Sequence, residues 1–207
     1  MVFGLTSGIA AAKPLAGAAA DRRALRRMLL DRRRALPADL CAQFSGRICD
    51  SLLARFPQFA AKRVAFCWPV NNEPDLRPLV ERWASEGREG FAALLPVVVA
   101  ENGVLAFRAW SPGVRMQIDR HGIPVPACGA LLIPEAVMIP VVGFDAAGYR
   151  IGYGGGYFDR TLAALRPRPF AVGVGFELAR IDSVAPETHD QPLDVMVTEA
   201  GVFQPSR

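Results

Sequence analysis

Two rhythms of apolar residues run along the chain from residue 21 onward. In 21–34, "DRRALRRMLLDRRR", Leu25, Met28 and Leu29 recur at three- and four-residue spacing, which predicts an amphipathic helix. After Pro37, which suits a first helical turn, Leu40, Phe44, Ile48 and Leu52 repeat the same period. "EPDLRPLVERWA" (73–84) predicts a loop that enters a helix through Leu76, Leu79, Val80 and Trp83, and "YFDRTLAAL" (157–165) predicts another helix. The remaining apolar runs are short and rich in β-branched or aromatic residues, so they predict strands. These are "RVAFCW" (63–68), "FAALLPVV" (91–98), "VLAFRAW" (104–110, after an Asn102-Gly103 hairpin signal), "AVMIPVVGFD" (136–145), "FAVGVGFE" (170–177) and "DVMVT" (194–198). Strands that alternate with helices and are apolar on both faces predict an α/β fold. The expected architecture is a single three-layer, Rossmann-like domain over 21–207, a mostly parallel sheet flanked by helices. Residues 1–20 are expected to be a disordered extension.

Composition agrees with a globular chain: 51% of residues are hydrophobic and 21% charged, which leaves ample core. No apolar stretch reaches the roughly 18 residues of a membrane span, and the opening stretch lacks the basic start and compact apolar run of a signal peptide. A cytoplasmic protein is expected, with no membrane among its partners. Cys41, Cys49, Cys67 and Cys128 show no CxxC spacing and read as reduced thiols, and with only His121 and His189 beside them no zinc site is expected. The net charge of +4, almost all of it carried by arginine, suits anionic ligands but is too mild for nucleic acid unless concentrated. It is concentrated in 21–34, which holds seven arginines. Most of that run reads as a solvated helix face. Arg22 and Arg26, four apart, share one face and can converge on a single anion.

The stretch "GYRIGYGGGYFDR" (148–160) holds five glycines next to specific side chains and then stops, so it is an ordered loop rather than a linker. On a strand-to-helix connection it presents backbone N–H groups and a helix N-terminus, which together suit phosphate. It carries neither the Gly-Lys-Ser/Thr of a P-loop nor the third glycine of a dinucleotide fingerprint. A phosphate cradle and a tight structural turn both remain open on glycine content alone. Arg150 can pair with phosphate oxygens in a fork. Asp159 can hold Mg²⁺ against those phosphates, or simply favour the start of a helix electrostatically. An arginine, a glycine cradle and an acid within ten residues favour nucleotide–metal binding.

"GFDAAGYRIGYGGGYFDR" (143–160) resembles the signature of the 5-formyltetrahydrofolate cyclo-ligase family. "RRALR" stands where that family has Lys-x-x-Leu-Arg, and "WPVNNEPDLRPL", "HGIPVP" and "THDQPLDVMVTE" follow in the family's order, so the resemblance runs from about Asp21 to Val202. It implies an ATP- and Mg²⁺-dependent enzyme, expected to be a monomer, that phosphorylates the formyl oxygen of a reduced folate and closes a ring. By position it implies ATP contacts from Arg22, Arg23, Ala24, Leu25 and Arg26, and from Arg150, Ile151, Gly152, Tyr153, Gly154, Gly155, Gly156, Tyr157 and Phe158. It implies folate contacts from Arg26, Trp68, Glu73 and Tyr153 to Tyr157, and magnesium carboxylates at Asp159 and Asp190. Arg150 and Tyr157 are the residues expected at the reacting centre. From the residues alone, Trp68 also reads as core, Glu73 as a loop acid and Asp190 as a turn residue. Three departures stand out: Arg22 for the family's lysine, Gly155 where a longer residue such as lysine is common, and Val125 where an acid is frequent. Two rival readings are another nucleotide- or phosphate-binding enzyme of the same architecture, and an RNA-binding module built on the arginine helix.

Overall fold

A computed structural model describes residues 22–206. The extension expected over 1–20 lies outside the described residues. In chain order the elements are α1 (Arg22–Arg34), α2 (Ala38–Arg55), β1 (Arg63–Ala65), α3 (Arg77–Ser85), β2 (Ala92–Val98), β3 (Leu105–Trp110), β4 (Met116–Ile118), β5 (Pro124–Pro126), β6 (Ala136–Pro140), β7 (Gly143–Phe144), β8 (Arg150–Ile151), α4 (Tyr157–Ala164), β9 (Phe170–Val174), β10 (Val195–Thr198) and β11 (Gly201–Phe203). Among the described residues, seven strands form one sheet in the order β11-β10-β9-β6-β1-β2-β3. The five inner strands are parallel and the two edge strands, β3 and β11, pair antiparallel. The expected α/β class and mostly parallel sheet are what the chain forms.

The inner strands are apolar on both faces because helices cover both. Val64 and Phe66 point to the side of α2 and α3, with Ile48, Leu52, Leu79, Val80 and Trp83. Ala65 and Val137 point to the other side, with Leu162 of α4. Period-two alternation along β1 and β6 thus feeds two cores at once. A third, smaller cluster of Leu29, Val142, Ile151 and Val184 seats α1 on the β7–β8 ribbon and the loop at Val184. No helix among the described residues is long and apolar enough to cross a membrane.

Three departures from the expected elements have physical causes. The run 136–145 does not stay one strand: β6 ends at Pro140, and the chain turns into the two-residue ribbon β7–β8, with Val142 N–H donating to the Ile151 carbonyl at 2.8 Å. Asp145 holds that turn, because its carboxylate accepts the amides of Ala147 and Tyr149 through Oδ1 and of Val184 through Oδ2, at 3.0–3.1 Å. The run 170–177 ends as a strand at Val174, and Glu177–Ala179 coil into a short 3₁₀ turn. Finally, β4 and β5 form a hairpin over 116–126 that apolar alternation did not mark, since two of the three residues of β5 are proline. Pro37 sits just before α2, where its carbonyl accepts the Cys41 amide at 2.9 Å.

Leu29 is 1% exposed, and the small cluster around it is the apolar part of what holds α1 down. Leu29→Ala is expected to lower the unfolding free energy by about 2–5 kcal/mol, read by denaturant titration. A loss below about 0.5 kcal/mol, the size of an ordinary surface change, would show that α1 is seated by its polar contacts alone.

Candidate active site

The chain runs from β1 out to β2 on one side and returns to β6 on the other, so the order of strands reverses beside β1. In an open parallel sheet the crevice at such a reversal lies outside the carboxyl ends of the strands. A cleft of about 910 Å³ occupies that place. Cys67 and Trp68 beyond β1 and Ile139 and Pro140 of β6 border it, together with α1, the 70–73 loop, the glycine loop and the β4–β5 hairpin.

The glycine loop leaves the ribbon strand β8 and enters α4. Gly154 has φ +97° and Gly156 has φ +63°, values that side chains rarely adopt. A Cβ on Gly154 would stand 3.3 Å from Cζ of Arg26, and one on Gly156 would stand 2.7 Å from Nη1 of Arg160. Two guanidinium groups therefore press against the bare backbone. Arg26 donates through Nε to the Gly152 carbonyl at 2.7 Å. Arg160 donates to the Gly155 carbonyl at 2.7 Å and to the Gly103 carbonyl at 3.2 Å, and its guanidinium lies 5.1 Å from the centre of the Tyr157 ring. Arg22 and Arg23 also line the cleft, so this part of it is rich in guanidinium groups.

Arg150 and Asp159 stand in the cleft wall but engage each other. Arg150 is 6% exposed, with Nη2 donating to Asp159 Oδ1 at 2.8 Å and Nη1 to the Gln191 carbonyl at 2.6 Å. The phosphate fork expected of Arg150 is thus turned inward, where it fixes Asp159. Burial pulls its guanidinium below the ordinary value, against the pull of Asp159. Asp159 also accepts the Gln191 amide at 3.0 Å, which brings the segment bearing Asp190 alongside. Asp190 accepts from Arg22 Nη1 at 2.6 Å and from the Glu187 amide at 2.7 Å. Burial works against its charge, but Arg22 and that amide hold its carboxyl below the ordinary value. No group of three or more metal-ligating side chains occurs among the described residues. Two neighbouring carboxylates facing a cationic cradle fit Mg²⁺ that takes its other oxygens from phosphate and water.

A second part of the cleft wall is built around Glu73. Asn71 and Asn72 adopt left-handed backbone, φ 52° and 57°, which asparagine tolerates. Asn72 Nδ2 then reaches the carbonyls of Arg33, Arg34 and Leu36 at 3.2–3.3 Å and caps the end of α1. This turn buries Glu73 to 4% exposure. Glu73 Oε2 accepts the Val70 amide at 3.0 Å and Oε1 accepts the Tyr153 hydroxyl at 2.6 Å. Burial pushes the Glu73 carboxyl up, opposed by Arg33 and by the two hydrogen bonds. Burial, and then Glu73, likewise push the Tyr153 phenol up. Trp68 both packs on the core and borders the cleft, with the Arg77 guanidinium 4.8 Å from its ring centre.

The cleft brings together Arg22, Arg23, Arg26, Trp68, Glu73, Arg150, Gly152 to Asp159 and Asp190. Leu25 packs beside Leu29 and Ile151 is buried in the same cluster, while Ala24 is exposed; none of the three borders the cleft. Sequence reasoning missed Arg33, Arg160 and His121, whose ring meets Tyr157 edge-on at 6.0 Å from the tip of the β4–β5 hairpin. Only the "HGIPVP" segment signalled the hairpin. Val125, in the place of a frequent acid, is 2% exposed and makes that wall apolar.

A profile of the 5-formyltetrahydrofolate cyclo-ligase family matches residues 18–199. The 5-formyltetrahydrofolate cyclo-ligase of Escherichia coli K12 is 27% identical over 183 residues, which are 86% of this chain and all of the relative. That of Mycolicibacterium smegmatis is 31% identical over 142 residues, 63% of this chain and 70% of the relative. Among solved structures, the 5,10-methenyltetrahydrofolate synthetase of Aquifex aeolicus is similar at a TM-score of 0.77 and 28% identity, covering 90% of this chain and 93% of its own. The synthetase from Mycoplasma pneumoniae shares the fold at a TM-score of 0.69 and 23% identity, covering 86% and 99%.

Gly154→Ala is expected to cost about 1–3 kcal/mol of stability through its backbone and to push Arg26 off the loop. Affinity for Mg-ATP, measured by calorimetry, should fall at least tenfold. Unchanged affinity with a lowered melting temperature would make the loop a structural turn.

Proposed function

The chain belongs to the 5-formyltetrahydrofolate cyclo-ligase family, and we propose that its cleft converts 5-formyltetrahydrofolate and ATP into 5,10-methenyltetrahydrofolate, ADP and phosphate. It is a ligase of one-carbon folate metabolism by that membership. The observation that carries the reading is that one crevice is lined by both a cationic glycine loop and a buried carboxylate. The first suits a polyphosphate, and the second suits the donor-rich edge of a reduced pterin. Tyr153 belongs to both, since it sits between Gly152 and Gly154 and donates to Glu73.

An amide oxygen leaves poorly until it is made part of a phosphate. In the proposed reaction the formyl oxygen attacks the γ-phosphorus, and an O–P bond forms as the bond to ADP breaks. The neighbouring folate nitrogen then adds to the activated formyl carbon and loses its proton. The C–O bond breaks with its electrons on phosphate, and the cationic methenyl bridge remains. Catalysis of this kind is positioning together with neutralisation of charge. Arg22 and Arg26 are placed to bind phosphate oxygens, and Glu73 to accept pterin N–H groups beside the face of Trp68. Tyr157 borders the cleft with His121 edge-on to its ring and the Arg160 guanidinium over it. Arg150 acts through Asp159 as a positioning residue. Asp159 and Asp190 would hold Mg²⁺, which neutralises phosphate charge when it arrives with ATP. In this reading the protein is a cytoplasmic monomer that handles two small molecules.

Incubation with 5-formyltetrahydrofolate and Mg-ATP is expected to give near-ultraviolet absorbance of the conjugated methenyl product together with one phosphate per turnover. Absorbance that never rises, or rises equally fast without ATP, would end this reading.

Asp159→Asn is expected to raise the Mg²⁺ concentration needed for half-maximal rate. It should also cost about 1–3 kcal/mol of stability, because Arg150 loses its charged acceptor. A Mg²⁺ titration that coincides with that of the unaltered protein would confine Asp159 to holding Arg150.

A further inference from the structure

Arg32, Arg33 and Arg34 close α1, and the two outer residues are exposed while Arg33 is 3% exposed. Placing a guanidinium inside a protein costs several kcal/mol unless its donors are met. Here all three nitrogens are used, on three different segments. Nε donates to the Asn71 carbonyl at 2.9 Å and Nη1 to the Val141 carbonyl at 3.2 Å. Nη2 donates to the Tyr153 hydroxyl and lies 3.7 Å from Glu73 Oε1. The two carbonyls alone would fasten the helix. The third nitrogen instead faces two residues that line the cleft, although Arg33 does not line it itself.

We infer that Arg33 is a positioning residue for the folate part of the cleft: it keeps the Glu73 carboxylate ionised and fixes the Tyr153 hydroxyl as its donor. The inference rests on the folate reading of Glu73 given above. The chemistry follows from the inventory of charges around Glu73. From α1 it faces Arg33, from the glycine loop the Tyr153 hydroxyl, from beyond β1 the Cys67 thiol, and from its own loop the Val70 amide. Burial pushes the Cys67 thiol up, with Glu73 adding to the effect, so that thiol stays neutral. Arg33 is the cation of the set. Without it a carboxylate this buried takes up a proton and becomes a donor where the pterin edge also donates. Tyr153 would then lose the charge on its acceptor and the guanidinium beside its ring, whose centre lies 5.7 Å from Arg33 Cζ.

The test compares the full-length protein with Arg33→Met, Glu73→Gln, the double variant and Arg33→Lys, between about pH 5 and pH 8. For Arg33→Met, KM for 5-formyltetrahydrofolate is expected to rise on the order of ten- to a hundredfold, more at low pH than at high, while KM for ATP changes less than about threefold. Melting temperature supplies a readout that needs no substrate. Glu73 already has a raised carboxyl in the folded protein, and loss of Arg33 raises it further. A group so raised supports the fold while protonated, and that support is lost as pH climbs through the raised value. The melting deficit of Arg33→Met should therefore grow from acid toward neutral pH. It should stop growing in the double variant, and Arg33→Lys, which keeps the charge, should flatten it. If Arg33→Met fails to fold, Arg33→Lys carries the decision: it keeps the charge but not the fork that meets Tyr153 and Glu73 together, so folate KM should rise selectively with no added pH dependence. A melting deficit equal at every pH, or equal losses for both substrates, would overturn the inference. If the unaltered protein turns over no folate, the reading of function falls by itself, and the melting series still decides whether Arg33 holds Glu73 ionised.

Discussion

β1 pairs in parallel with β2 on one side and β6 on the other, and the rest of the site depends on that constraint. Two parallel neighbours reached by crossovers on opposite sides leave a crevice that neither connection covers. Whatever follows β1 and β6 must border it. After β1 comes the Asn71-Asn72 turn with Glu73, and after β6 comes the ribbon that launches the glycine loop. The two parts of the cleft thus come from adjacent strands, which is why Tyr153 and Glu73 can touch although 80 residues separate them.

Charge within the cleft is arranged as matched pairs rather than as a bare positive bowl. Arg22 rests on Asp190, Arg150 on Asp159, and Arg33 beside Glu73. Arg26 and Arg160 rest on carbonyls of the glycine loop. Each guanidinium is fixed in direction before any ligand arrives, which lowers the entropy lost on binding. Partial burial makes these pairs stiffer than surface ion pairs, because screening by salt reaches them less.

The sequence reading was sound where the requirement is local. Helical spacing in α1 and α2, apolar strands and the Asn102-Gly103 turn needed only a few neighbouring residues to be recognised. The glycine loop was legible for the same reason, since positive φ at Gly154 and Gly156 is a property of the backbone. The failures came where distant segments decide. Nothing in "DRRR" marks the middle arginine as the buried one; the turn at Asn71, the end of β6 and Tyr153 do so from 38 to 120 residues away. Arg150 was read as facing a ligand because Asp159 and the Gln191 carbonyl could not be placed opposite it. The β4–β5 hairpin escaped because proline suppresses strand patterning, although edge positions accept it. The family resemblance named Glu73 and Asp190, which border the cleft, along with Ala24, Leu25 and Ile151, which do not.

The way α1 is held has a consequence for the order in which the molecule is assembled. Few of its residues pack apolar against the body, and its polar fasteners lie far along the chain: Asn71 at 38 residues from Arg33, Val141 at 108, Gly152 at 126 from Arg26, and Asp190 at 168 from Arg22. During synthesis this helix emerges long before its seat exists, and its closing contacts are among the most remote in the molecule. Contacts of such separation form late, since the loops they close cost entropy before they return any stability. The seating of this cationic helix is therefore complete only once the segment around Asp190 has been made, because Arg22 finds its carboxylate there.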